Sequence, residues 1–541
     1  MAAELAELLE ELRLRSGRSY AALAHRTGLS RSTLHRYCQG TTVPPTFGVI
    51  EQVARVSGAS PAELDRLYRA WCRATAGDTE PDEPPRPAAD MVQRGHEPSP
   101  RPPWWRRRWV RPAALLTVLV LTAGGGALAY DDSPSAPEGR PPAAEQRPEG
   151  PDWHESPRRI SPEFFGMTIN SDTGLMPGFR TGSARLWNSE TRWGNIEPKP
   201  NKYRWQTLDR LVEGAERDRL PVLFTFGGTP WWAAPDGKKS GFADSSASPP
   251  DDLKVWERFV KEVATRYRDR IESYELWDYP SHPLMYAGSM KSLGEMVERA
   301  AKIIRRIAPE ARIACPSFGS LWSREGRELL REFAGTGAYE WCHAAALKMP
   351  PRKGNGPPED IIELSRNMRN LLHDENVNDV ELWNTGPEWD INSVPRLDAR
   401  RARDYAARFY LAGLYSRKHG VRRMYFYNWG STHIPIIVQA VGGPPAEPGK
   451  AVGRLTGWLA GARISSCGQG PRLDLPPGVH SCTFERDGKP FTVDWSTRGR
   501  AEVSPAAGAY RLRHLDGSTA RARPGDPISV GGEPVLIEYR G

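Results

Sequence analysis

The chain has 541 residues, enough for two to four domains, and 39% of them are apolar and 26% charged. That balance excludes a wholly disordered chain and a polytopic membrane protein. Six cysteines in this length exclude a disulfide-dense mini-domain scaffold, and a net charge of +8 does not by itself argue for nucleic acid. The 19 tryptophans fit sugar-stacking surfaces and core packing equally well.

Residues 1–75 read as a five-helix bundle. Leu5 to Leu14 has helical apolar spacing, and Ser19 caps the next segment, SYAALAHRTG. A turn follows at Gly28-Leu29-Ser30, and Ser30 caps RSTLHRYCQG. TFGVIEQVARVSG and PAELDRLYRAWCRA complete the set. With small Ala24, turn Gly28 and inward Leu34, the module resembles helix-turn-helix domains of the Cro/repressor type. In that family the third helix enters the major groove of DNA. The resemblance implies DNA contacts from Arg31, Ser32, Thr33, His35 and Arg36, with Arg31 and Arg36 on guanine edges or phosphates. The alternative is a helical module that binds protein.

Residues 76–111 form a Pro-rich linker ending in a basic run, Trp104 to Arg111. Residues 112–130, with the uncharged stretch AALLTVLVLTAGGGALAY, predict a transmembrane helix. Arginines before it and Asp131 and Asp132 after it place the N-terminus in the cytoplasm and the rest of the chain outside. Residues 131–158 read as a second Pro-rich linker. Cys38 and Cys72 then lie on the reducing side. Cys467 and Cys482, fifteen apart around a turn-rich stretch on the oxidising side, are expected to pair as a disulfide. Cys315 and Cys342, in apolar strand-like runs, are expected to be buried free thiols.

In residues 159–465 eight strand-like runs alternate with amphipathic helices: EFFGMTIN, SARLWN, PVLFTFG, SYELWD, RIACPS, HAAALKMP, VELWNT and RRMYFYNWG. Eight βα units predict a (β/α)₈ barrel whose functional face lies at the strand ends. From Ser466 to the end, short strands such as FTVDWST, AYRLRHL and PVLIEY predict a small β-sandwich. The fold class is therefore multidomain: an all-α bundle, one membrane helix, a barrel and a β-sandwich.

The motif order in the barrel resembles clan A glycoside hydrolases, most closely the family-39 β-xylosidase-like members. It rests on Arg185, WGNIEPKPNKYRWQTLD (193–209), FTFGGTPWWAA (224–234), ELWDYPSHP (275–283), ELWNTGPEWD (381–390) and YFYNWG (425–430). The resemblance implies a retaining mechanism with a glutamate acid/base after the fourth strand and a glutamate nucleophile at the seventh. Here Tyr279 and Gly386 stand at those two positions. A phenol with a pKa near 10 is no carboxylic acid, and glycine supplies no nucleophile. Asp278 and Glu388 are the neighbouring carboxylates on which a shifted mechanism would have to depend.

Arg185, Trp187, Trp231, Trp277, Asp278, Asn384, Trp389, Asn428 and Trp429 fall at or near strand ends and are the expected saccharide-binding residues. His282 and His433 have no metal-ligand spacing, so neither a metal nor a cofactor is expected. The leading expectation is a single-pass membrane transcriptional regulator. Its partners are DNA inside, an oligosaccharide or cell-wall glycan outside, the lipid bilayer, and a second copy through ligand-driven homodimerisation. The alternatives are a membrane-anchored retaining glycoside hydrolase and a cell-envelope scaffold whose helix-turn-helix domain binds protein.

Overall fold

The computed structural model describes residues 2–27, 31–44, 50, 53, 54, 56–75 and 150–540, except 188, 355, 389, 390, 392, 433 and 524. Both Pro-rich linkers up to residue 149, and the predicted membrane span, lie outside the described residues. Among the described residues no helix is long and apolar enough to cross a membrane.

The N-terminal module holds helices Ala2–Arg15, Tyr20–Thr27, Arg31–Cys38 and Pro61–Thr75, while the fourth expected helix is described only in part. Their apolar stripes meet in one cluster that includes Leu5, Leu9, Leu12, Leu23, Leu34, Val53 and Leu67. Ser19 caps the second helix, its Oγ accepting from the Ala22 N–H at 3.2 Å.

The large module is a closed barrel of eight parallel strands, in the order they follow in the chain. They are Phe165–Ile169, Ser183–Leu186, Val222–Thr225, Ser273–Glu275, Arg312–Phe318, Ala344–Leu347, Glu381–Asn384 and Val421–Trp429. Helices Gln206–Arg217, Leu253–Arg266, Met290–Ile307, Arg324–Ala334, Asp360–Asp374, Ala399–Tyr415 and Glu447–Leu459 follow strands two to eight. The expectation of eight βα units needs one correction. The first strand passes to the second through residues 170–182 with no helix, so the first unit is a bare crossover. Several helix starts are side-chain capped: Asp252, Ser289, Ser323 and Asp398 each accept a backbone N–H of the first turn.

The C-terminal strands do not make two comparable sheets. They form one seven-stranded sheet and a separate two-stranded ribbon, Ala501–Val503 with Ile528–Val530. One face of the large sheet packs on the barrel through Phe484, Phe491, Val493 and Trp495. Val479, Val535 and Ile537 meet Val503, Ile528 and Val530 of the ribbon. The edge strand of the sheet is Trp153–Arg159, which pairs antiparallel with Arg463–Gln469. The expected linker 131–158 therefore ends earlier, and the sheet begins before residue 466. The alternation in WHESPRR is too polar to announce a strand, because only one side of it meets the core.

Cys467 and Cys482 face each other on paired strands and are joined by a disulfide. Cys315 and Cys342 are also joined, with Cα atoms 5.5 Å apart, which corrects the expectation of free thiols. Cys315 lies within the fifth barrel strand and Cys342 two residues before the sixth, so the pairing of these strands brings them together across 27 residues.

Candidate functional site

Helix Arg31–Cys38 turns Leu34, Tyr37 and Cys38 inward. Arg31, Ser32, His35 and Arg36 are exposed and Thr33 is half-buried. The His35 ring stands edge-on to Tyr20 at 5.1 Å. This face offers two guanidinium groups, an imidazole and two hydroxyls, and the helix carries no carboxylate. Such a face complements phosphate and base-edge acceptors. The preceding turn, Gly28-Leu29-Ser30, lies outside the described residues.

In the barrel, four charged side chains meet where the strands end. Arg185 lies near the end of the second strand and is fully buried. Its Nε and Nη2 donate to the two Glu275 carboxylate oxygens at 2.7 and 3.0 Å, a bidentate fork, and Nη2 also reaches Asp278 Oδ1 at 2.5 Å. Glu275 accepts further from Thr225 Oγ1 at 2.8 Å and Thr385 Oγ1 at 3.4 Å. Lys348, just past the sixth strand, donates Nζ to Asp278 Oδ1, which Ser317 Oγ also reaches at 3.2 Å.

Two buried carboxylates therefore face two buried cations in one balanced quartet. Burial works to raise the Asp278 carboxyl, and Lys348 followed by Arg185 outweighs it, holding Asp278 below the usual carboxylate range. Burial also pushes the Lys348 ammonium down, against the pull of Asp278.

The quartet lies between the two positions where the family resemblance calls for glutamates. A Cβ built on Gly386 would sit 3.6 Å from Lys348 Nζ, so the lysine ammonium stands beside the nucleophile position. Gly386 adopts φ 142°, in the range that favours glycine. At the other position Tyr279 adopts a left-handed backbone, φ 53°. Its ring lies across Gly319, where a Cβ would come within 2.4 Å of the ring. The Tyr279 hydroxyl donates to the Glu388 carboxylate, and Ser320 N–H donates to the same group at 2.9 and 3.1 Å.

The two candidate rescue acids are thus both held. Asp278 is an ionised partner of two cations, and Glu388 is bound to Tyr279 and the Ser320 N–H.

Several expected sugar platforms are placed elsewhere. Trp277 is fully buried between Trp256 and Tyr286, and its indole N–H donates to Met285 O at 3.1 Å. Trp429 is buried and donates to Gln439 Oε1 at 2.9 Å. Trp187 packs with Tyr279 and Met285. Asn384 spends its amide on the backbone of Met349 and Gly386. An aromatic or amide at a strand end is here engaged in the packed wall around the strand ends. Trp231 keeps an open face, at 37% exposure, with its N–H fixed to Ala243 O at 3.1 Å. Trp389 and His433 lie outside the described residues.

Two buried donors remain open. Arg185 Nη1 and Asn428 Nδ2 have no hydrogen-bond acceptor among the described residues. Beside Gly386 opens a cavity of about 380 Å³, lined mostly by apolar and aromatic side chains, including Trp322, Met349, Phe409 and Tyr427, with Glu388 on its wall. Among the described residues no three His, Cys, Asp or Glu side chains could together hold a metal ion.

Glu275 and Lys348 are the members of the quartet not read from sequence. The available signal was a charge at the end of an otherwise apolar barrel strand, in SYE and AAALK, because a buried charge requires a partner.

Residues 4–67 match the family model for a helix-turn-helix domain. No curated protein matches the chain. Among solved structures, a family 39 glycoside hydrolase from the gut symbiont Bacteroides cellulosilyticus WH2 is similar, with TM-score 0.54 and 15% identity over 70% of this chain and 81% of that one. A GH39 β-xylosidase from Caulobacter crescentus is similar too, with TM-score 0.51 and 13% identity over 71% of this chain and 98% of that one. At these identities the likeness is one of fold. The barrel and its sheet are glycosidase-like in architecture, and the N-terminal module is a helix-turn-helix domain.

Proposed function

We propose that the protein is a single-pass membrane transcription regulator whose glycosidase-like barrel binds a saccharide without cleaving it. The observation that carries the loss of catalysis is the Arg185–Glu275–Asp278–Lys348 quartet, set between Tyr279 and Gly386. Retaining hydrolysis needs one carboxylic acid to protonate the leaving oxygen and one free carboxylate to attack. Asp278, ionised between two cations, is a poor proton donor, and Lys348 puts an ammonium beside the point from which a nucleophile would act.

Binding asks for less. The open face of Trp231 suits the apolar side of a pyranose ring, and the cavity beside Gly386 offers further aromatic side chains, Trp322 and Tyr427. The exposed Arg31, Ser32, His35 and Arg36, with Thr33 beside them, support DNA binding by the other module. The charge-free run 113–130 between an arginine-rich flank and two aspartates supports the span and the cytoplasmic N-terminus. Ligand-driven pairing of two copies is the transmission that a tethered barrel allows.

The test is reducing-sugar release by the purified protein over a panel of plant and bacterial oligosaccharides, with calorimetric binding on the same panel. Binding without release is the expected result. Turnover that disappears in Glu388→Gln would make the barrel a working hydrolase and end this reading.

A further inference from the structure

The end of the barrel opposite its mouth carries a concentration of positive charge that the proposed function does not use. The segment SRKHGVRR leads into the eighth strand and supplies Arg417, Lys418, His419 and Arg422. Helix Asp360–Asp374 adds Arg366 from its middle and Arg369 from its C-terminal half. Hydrogen bonds tie these pieces together. Arg369 Nε donates to His419 O at 3.0 Å, and Arg422 Nη1 donates to Arg417 O at 2.7 Å.

Among the described residues, none of Arg366, Arg369, Arg417, Lys418 and Arg422 has a carboxylate within ion-pair distance, and Arg417 Nε is buried with no acceptor. Neighbouring charges behave differently. Arg423 pairs with Glu272 at 2.7 Å, Arg312 with Glu381 at 2.8 Å, and Arg472 with Asp152 at 3.0 Å. Burial pushes the guanidinium groups of Arg369, Arg417 and Arg422 below their ordinary values; repulsion from Arg422 adds to this at Arg369 and Arg417, while Glu381 and Glu155 work against it at Arg422. Burial and repulsion from its cationic neighbours bring His419 down to about 4, so it is neutral at physiological pH. An arriving anion relieves that repulsion.

The chain also enters the barrel module at this patch. Lys418 Nζ donates to Asp152 O at 3.3 Å, and the Trp153 indole N–H donates to Tyr415 O at 2.9 Å. Only residues 131–151 separate this point from the end of the apolar run at Tyr130, a contour of at most about 75 Å.

We propose that this basic end of the barrel docks on anionic lipid headgroups, which holds the saccharide mouth facing away from the bilayer. The proposal rests on the reading of residues 113–130 as a membrane span. The charge complementarity is what draws polybasic surfaces to phosphatidylglycerol-type membranes, and the short tether keeps the patch near that surface at high effective concentration.

The experiment places the full-length protein in nanodiscs of phosphatidylcholine alone or mixed with phosphatidylglycerol, and follows hydrogen–deuterium exchange over residues 416–422. Slower exchange in the anionic discs is expected. Arg366→Ala with Lys418→Ala, both at exposed positions, should lower the docked-to-free ratio about 30-fold. Equal exchange in the two disc types overturns the proposal. So does protection that polyphosphate or duplex DNA produces and anionic lipid does not, since that assigns the patch to a soluble polyanion. Membrane insertion is scored separately by alkaline carbonate extraction. If the chain does not insert, the span reading fails by itself, and sedimentation with anionic vesicles decides docking: binding supports it and no binding overturns it.

Discussion

Two buried charged residues show how differently a folded chain can treat ionisation. Asp494 lies on strand Lys489–Ser496, opposite Ser481 and Val535, with Oδ1 unpartnered among the described residues. Burial pushes its carboxyl up to about 6, against hydrogen bonds from Ser481 and Thr492. Because the folded value exceeds the unfolded one, the protonated form favours folding. That stability is complete below about pH 4, is lost as pH rises through about 6, and then stays constant. The loss is about 3 kcal/mol. Asp494→Asn should therefore flatten the pH dependence of the barrel's thermal unfolding between pH 4 and 7 and raise its midpoint at pH 8. A variant whose midpoint still tracks pH like the parent would show that Asp494 titrates normally. Lys348 presents the opposite case, a buried charge held by partners. Lys348→Met leaves Asp278 with one cation, and a cost of roughly 3–5 kcal/mol is expected. Adding Asp278→Asn should return part of it. The coupling in the double-mutant cycle measures the pair, and a value near zero would remove Lys348 from the account of the quartet.

At the scale of elements, helix Arg31–Cys38 and the barrel strands were legible in the sequence for a common reason. Leu34 and Tyr37 at helical spacing, and apolar runs such as PVLFTFG, announce which face must be buried. Arg36 lies on the exposed side of that helix. Arg36→Ala should weaken binding of operator DNA and reduce the slope of log affinity against log salt by about one, measured by fluorescence anisotropy. An unchanged slope would place Arg36 off the phosphates. The strand Trp153–Arg159 and the bond Cys315–Cys342 were not legible. WHESPRR carries Pro and four charged or imidazole side chains, and its partner lies hundreds of residues away. The two cysteines become neighbours only because the fifth and sixth strands lie side by side, which spacing cannot reveal. Closing 27 residues, the disulfide should stabilise by roughly 3.5 kcal/mol on loop-entropy grounds. Cys315→Ser is expected to lower the barrel's melting temperature by several degrees in oxidising buffer and to change nothing in strong reductant.

For the whole molecule, the N-terminal helices and the eight-stranded barrel were legible in the sequence, while the C-terminal strands form one large sheet with a ribbon in place of the expected sandwich. Arg185 and Asp278 were named from the sequence; the structure joins them to Glu275, three residues before Asp278, and to Lys348, just past the sixth strand. Trp277 and Trp429 were expected to face a ligand, yet a strand end has an inside and an outside, and their rings fill the layer between barrel and helices or loops. The same long-range character has a consequence in time. The edge strand Trp153–Arg159 leaves the ribosome about 300 residues before Arg463–Gln469, the strand it pairs with. At ordinary elongation rates that is an interval of roughly 15–60 s. Throughout it, the nascent chain presents one strand of its final sheet with nothing to bond to, and the sheet can be sealed only after the entire barrel has been synthesised.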